Sequence, residues 1–147
     1  MSATAATHDL TIDPDAVLRA YIIAALWSET DVTEAGGDPL DVHYGPDDLA
    51  PSARAACERD VASFLAVLAE VDVADRAAAL MSDAHLGHDF LLTRNGHGAG
   101  FWDRGNGAVG DILTTWAHTF GEACFYVGDD KMIYVSGDET YAGEVSA

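Results

Sequence analysis

A chain of 147 residues, 49% of them apolar, is long enough for one domain with a real core and too apolar through its middle for disorder. Twenty-five acidic side chains face seven basic ones, and the resulting net charge of −18 repels phosphate backbones and excludes ordinary nucleic-acid binding. The longest apolar run, Tyr21 to Trp27, is far short of the ~18–20 residues of a membrane span, so no membrane association is expected.

The opening MSATAATHDL has neither a basic region nor an apolar stretch, so no secretory signal is expected, and residues 1–11 read as a mobile tail. Asp13-Pro14 then supplies an N-cap and a proline at the first helical position. Val17, Leu18, Tyr21, Ile22, Ala24, Leu26 and Trp27 give this first helix a broad apolar face, predicting that it is largely buried. Thr30 to Asp48, with its acids, glycines and prolines, reads as a long surface loop. Pro51 opens a second helix in which Cys57, Val61, Phe64, Leu65 and Leu68 recur at helical spacing, and a short helix follows over 73–81.

At His88 the pattern changes. Asp89 to Arg94 is strand-like, Asn95-Gly96 is a strong hairpin signal, and 97–103 is the returning strand. Val109, Ile112, Leu113, Trp116, Ala117 and Phe120 predict an amphipathic helix closed by Gly121. Residues 123–127 and 132–135 predict a second hairpin around Gly128-Asp129-Asp130. The expectation is an α+β fold: three N-terminal helices packed on a small antiparallel sheet of two β-hairpins that flank an amphipathic helix. A single domain spans 12–136, and 137–147 is a second mobile tail. Cys57 and Cys124 fall in a predicted helix and strand without partner spacing; they read as buried thiols, and a cytoplasmic setting follows.

A two-residue turn at Asn95-Gly96 pairs Arg94 with His97, Leu92 with Ala99, Phe90 with Phe101 and His88 with Asp103, all on one face. His88 opposite Asp103 would be held in one tautomer with a raised pKa. The other face carries Asp89, Trp102 and Arg104 around a gap at Gly98 and Gly100. Either a ligand or partner enters that gap, with Arg104 donating to an anion, or a helix packs there and Asp89 neutralises Arg104. The candidate ligand- or partner-binding residues are therefore His88, Asp89, Arg94, His97, Trp102, Asp103 and Arg104.

Catalytic patterns are lacking. The Gly96–Gly100 run lies within a hairpin, not at a helix N-terminus, and so does not read as a phosphate loop. His85, His88 and His97 could ligate a metal with Asp89 or Asp103, but neither HExxH nor CxxC supports one. No GxSxG elbow occurs. No catalytic residue, metal or cofactor is expected. The acidity itself admits three readings: solubility, adaptation to high salt, or ordered carboxylates that mimic DNA phosphates.

The words Gly87-His88-Asp89-Phe90, Leu92 to Gly98, Gly100 to Gly105 and Tyr126 to Asp130 resemble a family of small acidic proteins scattered through bacteriophages and mobile elements. The resemblance spans roughly 39–135. Leu91 stands where that family has tryptophan, and Lys131 where it has glycine. It carries no assigned reaction; it implies a phage accessory protein in a host cytoplasm. The leading expectation is a non-enzymatic protein that binds and modulates or sequesters a host component through the 87–105 hairpin and its acidic surface. The alternatives are a small enzyme or binding module for a nucleotide-like or other anionic metabolite, and an acidic DNA mimic.

Overall fold

A computed structural model describes residues 12–31, 37–96, 101 and 107–136. Both expected tails, 1–11 and 137–147, lie outside the described residues. Among these residues there are five α-helices, α1 (Pro14–Ser28), α2 (Pro51–Glu70), α3 (Ala74–Leu80), α4 (Asp83–Arg94) and α5 (Gly107–His118). Two short strands, β1 (Phe125–Val127) and β2 (Ile133–Val135), form an antiparallel sheet, so the fold is α+β in the broad sense, with most of it helical.

Local chemistry sets the helix starts. The Asp13 carboxylate accepts the Asp15 N–H at 3.0 Å, and Pro14 follows at a position where no N–H is required. The Asp13 N–H in turn donates to Asp83 at 3.1 Å, tying the start of α1 to the start of α4. Pro51 opens α2 in the same way. Ser82 caps α4, its hydroxyl accepting the His85 N–H at 3.1 Å.

The core is helix against helix rather than helices laid on a sheet. α1 and α4 form the most extensive pair. They cross at Gly87, where a Cβ would stand 2.1 Å from the Val17 carbonyl oxygen, so only glycine permits this approach. Phe90 on α4 stacks on Phe64 of α2 at 4.0 Å, meets Tyr21 of α1 at 5.2 Å and takes Phe120 edge-on at 5.1 Å. α4 is thus central, with every residue from Leu86 to Arg94 buried except His88.

The strand expected over 89–94 is instead the second half of α4. Asn95-Gly96 ends a helix rather than turning a hairpin. Gly96 has φ +72°, its N–H donates to the Thr93 carbonyl at 3.1 Å, and the Asn95 N–H donates to the Leu91 carbonyl at 3.2 Å. The Asn95 side chain then docks on Ala123, accepting its N–H at 2.7 Å and donating to its carbonyl at 3.0 Å. Of the expected returning strand, 97–100 and 102–103 lie outside the described residues. Phe101 is buried, its N–H donating to Thr93 Oγ1 at 3.1 Å. Phe90 and Phe101 therefore do not meet as a strand pair; both stack on Phe64.

The second hairpin pairs Phe125 with Val135, Tyr126 with Tyr134 and Val127 with Ile133. β2 also touches the entry to α2, where the Ala50 N–H donates to the Ile133 carbonyl at 2.9 Å. Two other expectations change. The described part of the 30–48 stretch, residues 30–31 and 37–48, is anchored rather than purely superficial, with Leu40 fully buried and the Asp31 N–H bonded to the Asp38 carbonyl at 2.7 Å. Cys57 is buried as expected, but Cys124 precedes β1 and is exposed.

Candidate functional site

Of the seven residues singled out in the sequence, His88, Asp89 and Arg94 are described; His97, Trp102, Asp103 and Arg104 lie outside the described residues. α4 carries all three, but it sends Arg94 one way and His88 with Asp89 another.

Arg94 points into the protein. Its Nε donates to the Gly121 carbonyl at 2.8 Å and its Nη2 to the Phe120 carbonyl at 2.9 Å. Its Nη1 donates to the Asp60 carboxylate at 2.7 Å and to the Tyr21 hydroxyl at 2.9 Å. The guanidinium also lies over the Phe90 and Phe120 rings, 5.7 and 5.5 Å from their centroids. Burial opposes its charge, but Tyr21 and Asp60 outweigh that and hold its pKa above the ordinary value. A residue so used joins α1, α2, α4 and the chain after α5. It is not placed to receive a ligand, which corrects its place among the candidate ligand-binding residues.

His88 and Asp89 form a different group, together with His85. The Asp89 carboxylate is fully buried between two imidazoles: His88 Nδ1 stands 3.2 Å from one oxygen and His85 Nε2 3.3 Å from the other. The His88 contact is a hydrogen bond; the His85 contact is an ion-pair distance without hydrogen-bond alignment. A buried carboxylate is costly unless partners are held close to it, and the hydrogen bond fixes the His88 ring against Asp89. The Trp27 indole of α1 packs against the His88 ring with centroids 5.9 Å apart.

Trp27 lies outside the core that its place in the apolar pattern of α1 predicts for it. Assigned to the buried face of α1, it is 56% exposed, and Ile23 one turn earlier is 43% exposed. At 3.6 residues per turn these two share a strip with Ala16 and Ala20, on the side away from Tyr21. That spacing was the available signal. The result is an apolar strip, Ile23 and Trp27, extended onto α4 by the half-exposed His88.

Nucleophilic chemistry finds little support. Burial, with Asp60 adding to it, pushes the Cys57 thiol up to about 12, leaving it protonated and unreactive at neutral pH. Among the described residues no group of histidine, cysteine and carboxylate side chains is arranged to hold a metal ion, and no helix is long and apolar enough to cross a membrane. Comparison with protein-family models, with curated proteins and with solved structures finds no match.

Proposed function

We propose that this protein is a non-enzymatic accessory protein that binds a basic surface on a host protein and thereby modulates or sequesters it. The observation that carries this reading is the exposure of Trp27 beside Ile23, on a helix whose other large apolar side chains are buried. An exposed indole is a poor choice for a surface in water, and tryptophan is the side chain most enriched among residues that dominate interface energetics. Covering it would contribute roughly 1.5–3 kcal/mol from burial alone. The net charge of −18 names the partner's chemistry: a positively charged surface is steered toward this molecule, while acidic ones are repelled.

In this reading His88 contributes contact area and Asp89 orients it. His97, Trp102, Asp103 and Arg104 keep their candidacy on sequence grounds. The resemblance to small acidic phage and mobile-element proteins supports a phage accessory role in a host cytoplasm. The anionic-metabolite reading is weakened, because the donors of Arg94 go to protein acceptors.

Expression in a bacterial host tests this. Wild-type protein should perturb growth, and Trp27→Ala, folded and equally abundant, should not. Equal growth effects from the two proteins would remove the Trp27 face from the function.

A further inference from the structure

Apart from the Trp27 face, the second hairpin and the first turn of α2 enclose an open pocket of about 520 Å³, lined by Ser52, Tyr126, Gly128, Asp129, Asp130 and Tyr134. We propose that this pocket binds an organic cation, a guanidinium or ammonium group, between the tyrosine rings and the two carboxylates. The proposal does not depend on the Trp27 reading.

The pocket is built by the hairpin register. Tyr126 and Tyr134 are cross-strand partners, so their rings share one face and stack at 5.9 Å with a 26° tilt. Gly128 has no side chain, and a Cβ there would stand 2.5 Å from Tyr134 Cε1, so the Tyr134 ring lies close against the turn. From that position its hydroxyl donates to Asp130 Oδ2 at 2.7 Å, while the Met132 N–H donates to Oδ1 at 3.1 Å. Both Asp130 oxygens are thereby fixed, and the Tyr134 hydrogen bond holds this carboxyl below its ordinary pKa.

Asp129 adds a second carboxylate at the rim, on an exposed turn residue. Aromatic faces next to carboxylates are the combination that selects a weakly hydrated organic cation: the ring quadrupole attracts the charge and the carboxylate takes its N–H donors. Ser52, in the first turn of α2, brings about half a positive charge from the helix end, which two full carboxylates outweigh. The volume lies within the ~300–1,000 Å³ range of small-ligand sites.

Such a cation could be the side chain of a basic peptide or a free polyamine. The experiment is a titration of the full chain, followed by NMR of the tyrosine ring resonances, with argininamide and with spermidine in ~150 mM salt so that long-range attraction is screened. Citrullinamide, acetylated at its α-nitrogen as the argininamide is so that neither carries an α-ammonium, serves as the uncharged control. Saturable one-to-one binding is expected, with shifts at Tyr126 and Tyr134 and no response to citrullinamide. Asp129→Asn and Tyr126→Leu, each confirmed as folded by its melting curve, should each weaken binding by about ten-fold or more, roughly 1.4 kcal/mol. Removing one of twenty-five acidic groups would have little effect on a diffuse attraction. Binding of argininamide alone assigns the pocket to a basic side chain, of spermidine alone to a polyamine, and of both to the cationic group that they share. Non-saturable binding, equal binding by the two variants, or an equal response to citrullinamide would overturn the proposal.

Discussion

Arg94 is where one residue decides the most. Its guanidinium joins Asp60, Tyr21 and two carbonyls that follow α5, so Arg94→Ala would leave a partly buried carboxylate and two carbonyls without their donor. Breaking such a pair costs about 3–5 kcal/mol in a dry interior. Asp60 keeps 24% of its side-chain exposure, so a loss of about 3 kcal/mol is expected, read from thermal or urea melts. Arg94→Lys should recover only part of it, because an ammonium cannot reproduce the planar fork. Stability unchanged in Arg94→Ala would mean that this network contributes nothing to the fold. Gly87 is the complementary case. Alanine is worth up to ~1 kcal/mol more than glycine within a helix, but here its methyl would meet the Val17 carbonyl at 2.1 Å. Overpacking against backbone costs typically ~1–3 kcal/mol and occasionally more, so Gly87→Ala should lower the urea midpoint, and a raised midpoint would contradict the close crossing of α1 and α4.

Among the elements, those with a one-sided apolar pattern were legible in the sequence: α1 and α2 announce themselves by proline and spacing, and the 125–135 hairpin by two short apolar runs around Gly128. α4 was not legible, for a physical reason. It is buried on nearly every side, so its polar and apolar residues do not sort into a helical stripe, and Asn-Gly serves equally as a hairpin turn and as a helix C-terminus. The Ser82 cap was the signal that could have separated the two. The site residues suffered from the same ambiguity: a hairpin would put Arg94 and His88 on one face, whereas the helix separates them. The 125–135 turn bears a clearer mark. Lys131 adopts φ +68°, a left-handed conformation that costs a residue with a side chain roughly 1–2 kcal/mol. Lys131→Gly should therefore stabilise the protein by up to about 1 kcal/mol, after the loss of glycine's greater freedom in the unfolded chain, and its Tm should rise by a few degrees. A lower Tm would mean that the lysine side chain contributes more than its backbone strain removes.

On the scale of the whole molecule, charge and exposed apolar surface act together. A net charge of −18 on 147 residues opposes the compact state by self-repulsion, and salt screens that repulsion. Tm should rise from low salt to ~1 M as the Debye length falls toward ~3 Å; a flat response would mean that the carboxylates are already compensated. A rise continuing to several molar would favour high-salt adaptation as the origin of the acidity. On the proposed function, the same charge would steer a basic partner toward the protein, and the apolar strip at Trp27 would supply the contact. The most direct test is quantitative affinity capture from bacterial lysate, with wild-type protein and Trp27→Ala immobilised side by side after melts show the two within about 0.5 kcal/mol, as expected for an exposed position. If the Trp27 face binds a basic host surface, at least one basic protein is enriched by wild type, recovered less as salt increases, and lost from Trp27→Ala. Capture of the same proteins in the same amounts by both would contradict it.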